Sequence, residues 1–370
     1  MDHISGEYHQ VRYQNSKSRY WSFIPNDLRS ITAQWKLDVE LSHLLTSAHR
    51  ELGILEGMIR SIPENEPFMK MIYLREAQKS CAIDHKIASL EGMLNSSFQT
   101  LEDRTAVNCY KSLNALAEMP FTLSTICDLQ SIVVQNESND SIGTMRKTAF
   151  LMHPQYTSNM AEYNPPPPEL LNELMMDLES FARKKNTLDV LIRAAMIYYQ
   201  FETIHPFEGG NGRIGRLLIP WFLMQNKMLS KPVLSLSGYL LEHNDECLYE
   251  FRGIQSFSTY TDWLTFFIQG VILSAQETIR QLESVKKIRN CNLQKIKALG
   301  KSADKLLRLY GYVEENPVLT INNVAETLNI SYNTAAKNVE MLRELKILRQ
   351  MNAQSRNRIY AYEEFLKCFK

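Results

Sequence analysis

The sequence lacks most of the features that would place a chain of this size in a function class at once. Its 41 Lys and Arg are balanced by 41 Asp and Glu, so no net charge draws the whole protein toward nucleic acid or a membrane. It has no run of 18 apolar residues, and its first residues lack the apolar segment of a signal peptide. The six cysteines include no C-x-x-C pair, which argues against zinc and disulfide frameworks. We therefore expect a cytosolic protein with no membrane contact.

What is present is a globular composition with mostly helical periodicity. A length of 370 residues with 44% hydrophobic residues predicts two or three domains. Apolar residues recur at helical spacing from Leu41 to Ile59, and a second helical stretch runs from Phe68 to about Phe98. Helical spacing continues through residues 107–118, and a long closing helix is predicted at 263–288. The chain is predicted to be mainly α.

Two segments interrupt this pattern. Residues 1–35 are polar and aromatic, and we predict an irregular arm laid across a domain. Residues 143–163 lack helical spacing and predict a small β-hairpin. Four prolines, Pro165–Pro168, end that segment and lead into an amphipathic helix.

The tail from about Lys301 has a pattern of its own. A short helix, a tight turn, a longer helix and a final two-strand pattern resemble a winged helix-turn-helix. Thr320 and Ser331 are good N-cap residues ahead of the two inner helical runs. Residues 301–370 hold 11 Lys and Arg against 8 Asp and Glu, which is only mildly basic. DNA binding by this tail, through Lys337, Arg343, Arg356 and Arg358, and docking to another protein are both hypotheses.

Glycine is scarce, with 14 residues, yet four glycines fall within seven positions of the stretch HPFEGGNGRIGR, His205 to Arg216. The G-x-G-x-x-G spacing from Gly210 to Gly215 suggests a dinucleotide site, but that site requires a preceding strand. Here the preceding segment, LDVLIRAAMIYYQF, has helical spacing, and the lysine of a P-loop is absent. Both of these phosphate-binding motifs are therefore rejected.

A glycine turn before a helix start gives a different phosphate site. Bare N–H groups and the helix dipole attract an anion, and Arg213 and Arg216 project on one side of the new helix. Asn211 adds a neutral side-chain donor, and His205 is placed to act as a general base toward a hydroxyl. Each residue alone is more often structural, but their combination within twelve residues predicts phosphate held beside a base.

The same stretch resembles the Fic family signature, H-x-F-x-[DE]-G-N-G-R-x-x-R. The resemblance implies a helical fold that transfers AMP from ATP to a protein hydroxyl, as in bacterial protein adenylyltransferases. It makes His205 the base, Phe207 the anchor of the loop, and Gly210, Asn211 and Gly212 the anion hole. Arg213 and Arg216 hold the triphosphate, with Arg216 at the terminal phosphate.

One position departs from that signature. The family's acidic residue, which holds Mg²⁺ against the α- and β-phosphates, is replaced by Gly209. Loss of a carboxylate matters because Mg²⁺ is held by one or two carboxylates together with phosphate oxygens. Three outcomes stay open: Glu208 substitutes, Mg²⁺ or Mn²⁺ binds through phosphate and water alone, or activity is weak or altered.

The resemblance extends along the chain. It divides the chain into a Fic-associated N-terminal helical region (1–105), a Fic catalytic core (106–290) and a winged helix-turn-helix (291–370). Residues 147–163 resemble the flap on which the family docks its target by strand addition. In YLREAQKSCAIDH, Ser80 and Asp84 stand where such proteins carry an inhibitory S/T-x-x-x-E-G/N motif, with Asp for Glu. The alternative interpretation is an ordinary helix surface.

The leading function is therefore a protein adenylyltransferase that modifies a Ser, Thr or Tyr hydroxyl. Protein targets, self-modification and a homodimer are the partner hypotheses, with DNA as a further partner of residues 301–370. The main alternative is a nucleotide-binding regulator on a Fic scaffold that acts through its winged helix. Retention of His205 favours the enzyme, and Gly209 favours the regulator. A third hypothesis keeps the enzyme but changes the transferred group or makes it remove AMP.

Overall fold

The computed structural model describes residues 4–12, 19–62, 67–94, 99–116, 119–135, 137, 141–151, 163–184, 187–300, 303–352 and 358–369. Within these ranges the chain is mainly α, as predicted, with two small antiparallel sheets. None of the helices in the described part is apolar over enough of its length to cross a bilayer.

The N-terminal segment is not the irregular arm that we expected. It forms a hairpin of β1 (Gly6–Arg12) and β2 (Arg19–Pro25), followed by α1 (Leu28–Gln34). β2 reads RYWSFIP, which is rich in aromatic and β-branched residues, and its buried side anchors it to the body of the protein. Its outer edge lies along Asn164, whose carbonyl accepts from the Phe23 N–H at 3.0 Å. The prediction failed because the strand depends on this tertiary pairing.

Five helices follow α1. They are α2 (Val39–Arg60), α3 (Pro67–Ile83), α4 (Leu90–Leu94), α5 (Leu101–Ala115) and α6 (Leu123–Val133). The apolar face predicted from Leu41 to Ile59 is buried along α2. The helix predicted to continue to Phe98 instead ends at Ile83, where His85 takes a left-handed φ of 59°. The His85 and Lys86 N–H groups bond back to the carbonyls of Ala82 and Cys81, which closes the helix end.

The central part of the chain is built from six further helices. They are α7 (Leu171–Arg183), α8 (Val190–Ile204), α9 (Asn211–Gln225), α10 (Leu236–Glu242), α11 (Asn244–Phe257) and α12 (Tyr260–Lys297). α8 and α9 are buried on nearly every side and pack on each other, and α12 lies against α2 and α8. The loop between α8 and α9 therefore starts and ends in rigid core.

Two sequence expectations fall in this part of the chain. The prolines lead through a 3₁₀ turn, Pro168–Leu170, into α7 as predicted. The hairpin predicted at 143–163 is not present in residues 143–151, which form no strand, and residues 152–162 lie outside the described ranges. The predicted domain boundaries at 105/106 and 290/291 both fall inside helices, α5 and α12, so secondary structure is continuous there.

The tail is a compact unit of short elements. In order these are α13 (Ala303–Glu315), β3 (Val318–Thr320), α14 (Ile321–Leu328), α15 (Tyr332–Glu344), β4 (Arg349–Gln350), β5 (Ile359–Ala361) and α16 (Glu363–Lys367). The three strands form one antiparallel sheet in the order β3-β5-β4. The side chains of Thr320 and Ser331 cap α14 and α15, as predicted. This order of elements agrees with the one predicted for a winged helix-turn-helix, and that assignment stays a prediction.

Candidate phosphate-binding site

His205 lies where α8 gives way to the glycine-rich loop. It takes a left-handed backbone conformation (φ 49°, ψ 61°), and its N–H closes the helix on the Phe201 carbonyl at 3.0 Å. Arg146 fixes the turn from outside, because its Nε donates to the His205 carbonyl at 2.8 Å and its backbone N–H donates to the Pro206 carbonyl at 2.9 Å. The ring of Phe150 lies 4.7 Å from the imidazole. The base is thus held by backbone and by packing.

The His205 imidazole is neutral at physiological pH. Burial and the nearby Arg146 guanidinium lower its pKa to about 4, while hydrogen bonding to the Glu202 carbonyl opposes that shift. A ring nitrogen that donates to this carbonyl leaves the other nitrogen as an acceptor. The neutral, oriented ring can therefore take a proton from a hydroxyl.

The loop after His205 is locked by the side chain of Asn211. Its Oδ1 accepts from the Phe207 N–H at 2.9 Å, and its Nδ2 donates to the Phe207 carbonyl at 2.7 Å. Phe207 itself is fully buried, as expected of an anchor. Both polar atoms of Asn211 are therefore committed to the loop, so its predicted contribution to anion binding rests on its backbone N–H.

The start of α9 offers an anion site. Gly210 stands at the N-cap with φ 82°, a conformation that favours glycine, and no side chain caps the helix. The preceding carbonyl, of Gly209, accepts from Gln130 Nε2 at 3.2 Å, which holds the turn against α6. Among the described residues, no side chain therefore caps the first N–H groups of α9 at the positive end of its dipole.

Arg213 is almost entirely buried and heavily bonded. Its Nη1 and Nη2 donate to the two carboxylate oxygens of Glu137 at 2.6 and 3.0 Å, and its Nε donates to Asp84 Oδ2 at 3.0 Å. Nη1 also reaches the Val133 carbonyl at 3.3 Å. Glu137 in turn pairs with Lys86 at 2.5 Å. The first arginine of the signature is thus fixed by two carboxylates.

Arg216 is held by the end of α3. Its Nε donates to Ser80 Oγ at 2.8 Å, and its Nη2 donates to the Ser80 carbonyl at 2.7 Å and to Asp84 Oδ1 at 2.8 Å. Asp84 therefore bridges both arginines, one through each carboxylate oxygen. Its shorter side chain, relative to the family's Glu, still reaches Arg216.

The charges in this cluster reinforce one another. Burial would raise the pKa of the Asp84 carboxyl, but Arg216 and Arg213 outweigh it and hold the pKa below its ordinary value. Burial would likewise lower the pKa of both guanidinium groups, whereas Glu137 raises the pKa of Arg213 and Asp84 raises the pKa of both. All these groups are therefore ionised at neutral pH, and an incoming anion has to compete with Asp84.

The residues around the loop do not form a complete metal site. Gly209 offers no side chain where the signature has its carboxylate, and Glu208 stands one position earlier. Within the described ranges no cluster of three His, Cys, Asp or Glu side chains could bind an ion. The protein groups here do not fit a divalent cation held by protein ligands.

Four residues that contact or border the site had no role predicted from the sequence: Gln130, Glu137, Arg146 and Glu202. Gln130, Glu137 and Arg146 come from segments distant in sequence, and no local pattern marks them. Glu202 did carry a signal, because it is the one acidic residue of α8, which otherwise reads VLIRAAMIYYQF and TI. The sequence-predicted residues from His205 to Arg216 do meet at one site, together with Ser80 and Asp84.

Comparison with known proteins agrees with this arrangement. The sequence model of the Fic/DOC family matches residues 120–223, and that of the Fic/DOC family N-terminal region matches residues 42–115. In fold, the chain is similar to a Fic family protein from Desulfovibrio desulfuricans G20, with a TM-score of 0.58 and 16% identity over 88% of this chain and 97% of that one.

Curated relatives match over shorter stretches. A probable protein adenylyltransferase of Aquifex aeolicus is 37% identical over 70 residues, 19% of this chain and 22% of the relative. A uridine 5'-monophosphate transferase of Xanthomonas campestris is 26% identical over 232 residues, 56% of this chain and 42% of the relative. The chain thus spans less than half the length of these relatives. The two family matches show that the chain carries a Fic/DOC family region with the N-terminal region of that family before it. The likeness to the Desulfovibrio protein shows that the fold is the same.

Proposed function

We propose that this protein is an adenylyltransferase that transfers AMP from ATP to a Ser, Thr or Tyr hydroxyl of a protein. The observation that carries the proposal is a neutral His205 fixed beside an uncapped helix start, with two arginines on the first turns of that helix. The named relatives transfer adenylyl or uridine monophosphate groups, which supports nucleotidyl transfer in general.

The chemistry follows from the position of the base. The hydroxyl oxygen attacks the α-phosphorus as the acceptor nitrogen of His205 removes its proton. The bond between the α-phosphorus and the α–β bridging oxygen breaks, and pyrophosphate leaves with the electron pair. The ring stays oriented throughout because Arg146 holds the His205 carbonyl and Phe150 packs on the ring. Fixed geometry of this kind contributes most of the acceleration in phosphoryl-type transfer.

The phosphates lie against the backbone N–H groups of Gly210, Asn211 and Gly212 at the start of α9. Arg216 binds the terminal phosphate, and Arg213 adds positive charge from behind. Asp84 competes for both guanidinium groups, so a triphosphate has to displace it before it binds fully. Ser80 and Asp84 therefore act as an internal inhibitor, and the resting protein has low activity.

The target docks along the flap, residues 147–163. Residues 147–151 of this segment include Phe150, whose ring lies against the His205 imidazole. An extended target strand that pairs with this segment therefore brings a hydroxyl to the base. A second molecule of the same protein, or the protein's own chain, is a target of the same chemistry.

A nucleotide-binding regulator is the second candidate function. Gly209 favours it, because the signature's carboxylate is missing and the described residues hold no replacement cluster. In that case the site binds nucleotide without transfer, and the C-terminal unit conveys the bound state to DNA or to a protein.

One experiment separates the two. The full chain is incubated with ATP labelled at the α-phosphate and with lysate, in Mg²⁺ or Mn²⁺, and labelled proteins are counted. Covalent label that depends on His205 supports the transferase. Tight nucleotide binding without label in either metal supports the regulator instead.

A further inference from the structure

Glu202 is a carboxylate beside the site with no role assigned so far. It lies on α8, one helical turn before His205, and its carbonyl is the group that bonds to the His205 ring. Its Oε1 is buried, and no donor in the described part of the chain lies within hydrogen-bonding distance of it. An unpaired buried carboxylate oxygen is costly, so its persistence at this position calls for a reason.

The helix opposite makes room for this carboxylate. A Cβ placed on Gly215 would lie 2.0 Å from Glu202 Oε1 and 3.1 Å from the ring of Tyr198. Any side chain at position 215 would therefore expel the carboxylate from the α8–α9 contact. Gly215 is the residue before Arg216, so the oxygen lies next to the backbone that carries this arginine.

Charged and titratable groups face Glu202 from five elements. Arg216 faces it from α9, Asp84 from the turn after α3, Cys247 from α11, Tyr198 from α8 itself and Tyr163 from the segment before the prolines. Burial raises the pKa of Glu202 to about 7, although Arg216 lowers it, and Asp84 raises it further. The carboxyl is thus divided between its two protonation states near neutral pH.

We propose that Glu202 belongs to the phosphate site and takes up a proton from solvent when a nucleoside triphosphate binds at Arg216. This inference rests on the proposed nucleotide binding. In the resting protein Arg216 compensates the charges of both Glu202 and Asp84. A triphosphate replaces one carboxylate, Asp84, by several negative charges on the same guanidinium. Anions that share one cation raise each other's pKa, and the one that can shed its charge at least cost is the half-protonated Glu202.

The sign of the effect follows from this linkage. Binding is favoured by protonated Glu202, so affinity is fully present below pH 7 and declines as pH rises above it. The decline approaches about tenfold per pH unit, the limit for uptake of one proton. Protonated Glu202 is also a hydrogen-bond donor, which an ionised carboxylate is not.

The test is calorimetric and needs no turnover. α,β-Methylene-ATP, whose bridge cannot be cleaved, is titrated into the full chain at pH 7.5 in two buffers of different ionisation enthalpy, which gives the protons taken up. We expect the wild type to take up more than Glu202→Gln, by roughly half a proton or more, since its carboxyl starts largely ionised at this pH. Glu283→Gln, an exposed glutamate of α12, serves as the matched control and should behave as the wild type.

A second readout needs no variant at Glu202. Between pH 7.5 and 8.5 the γ-phosphate of the free analogue is already mostly ionised, so the wild-type affinity should fall several-fold, approaching the tenfold limit. Equal proton uptake in wild type and Glu202→Gln, or an affinity that stays flat over this range, overturns the role of Glu202 and leaves the proposed function intact. Failure of every variant to bind the analogue overturns both.

Discussion

The two ends of the signature are held in opposite ways. At the His205 end, the contacts are backbone hydrogen bonds and packing, through Arg146, Phe150 and the Asn211 lock on Phe207. At the arginine end, the guanidinium groups donate hydrogen bonds to carboxylates and a hydroxyl from distant segments of the chain. The imidazole of His205 is positioned to accept a proton, whereas both guanidinium groups are already paired with carboxylates.

The two kinds of contact suit different roles, one in holding catalytic geometry and the other in regulating access to the arginines. Preorganised geometry is useful only if it does not change, which suits a base held by hydrogen bonds to its backbone and by packing of its ring. Ion pairs can be exchanged for other ion pairs, so the proposed function requires that a triphosphate displace Asp84 from the two arginines. Substitutions at the two ends should therefore differ in kind as well as in size.

The largest effect should come from the base end. His205→Ala should lower transfer of labelled AMP by a factor of about 10² to 10⁴, the usual contribution of a positioned general base. Binding of α,β-methylene-ATP should change little, because the contacts of Arg213 and Arg216 do not involve His205. Transfer at the wild-type rate by this variant would remove the base from the mechanism.

The next effect tests the position between the two ends. Gly209→Asp should raise transfer in Mg²⁺, by as much as about 10²-fold, because one preorganised electrostatic contact can contribute that much. Gly209 is not among the residues with positive φ, so aspartate fits the backbone without conformational strain. Glu208→Ala is the companion variant: if it abolishes wild-type transfer, Glu208 already supplies the metal contact. Unchanged transfer in Gly209→Asp with normal nucleotide binding favours the regulator.

Arg216→Ala should weaken both binding and transfer. A charge-assisted hydrogen bond to phosphate contributes about 1.5–3 kcal/mol, which corresponds to roughly 10- to 100-fold in affinity. The comparison predicts that, unlike His205→Ala, this variant loses affinity for α,β-methylene-ATP, which calorimetry measures directly. Affinity equal to that of the wild type would place the terminal phosphate elsewhere.

Asp84 should change the same site in the opposite direction. Asp84→Ala frees Arg216 from its bridging carboxylate and should raise transfer about tenfold, the worth of one charge-assisted contact. Asp84→Asn keeps the shape of the side chain and removes its charge, so an increase in both variants assigns the inhibition to charge. Arg213 keeps Glu137 in either variant, which limits the loss of stability. If neither substitution moves the rate, the arginine end is not under control by Asp84.

The smallest effect concerns the C-terminal unit. Replacement of Lys337 and Arg358 by Ala should reduce retardation of duplex DNA a few-fold at low salt and flatten its dependence on salt, since each phosphate contact releases counterions. Arg356, the third predicted contact, lies outside the described residues, and Arg343 pairs with Glu340 within α15. A wild-type protein that retards no duplex at low salt would leave protein docking as the role of this unit.

Much of the fold could be predicted from local pattern. The buried face of α2, the caps at Thr320 and Ser331 and the helix after the prolines all depend on neighbours within a few residues. The hairpin β1–β2 could not be predicted, because its outer edge is completed by Asn164, about 140 residues away. The end of α3 was also misjudged, because nothing in the sequence marks His85 as left-handed.

The candidate site could likewise be predicted only in part from the sequence. The sequence alone determined that a base, a glycine turn and two arginines lie within twelve residues of one another. Because the arginines are three residues apart on a helix that starts at the glycine turn, the sequence also placed them on one side of that helix. The resemblance to the family also marked Ser80 and Asp84 as a candidate inhibitory motif. Only the tertiary structure decided that Asp84 bridges both arginines, that Glu137 and Lys86 join the cluster and that Glu202 is buried beside Gly215. Charge pairing and desolvation depend on distance in space, and packing of α3, α6 and α8 around α9 sets those distances.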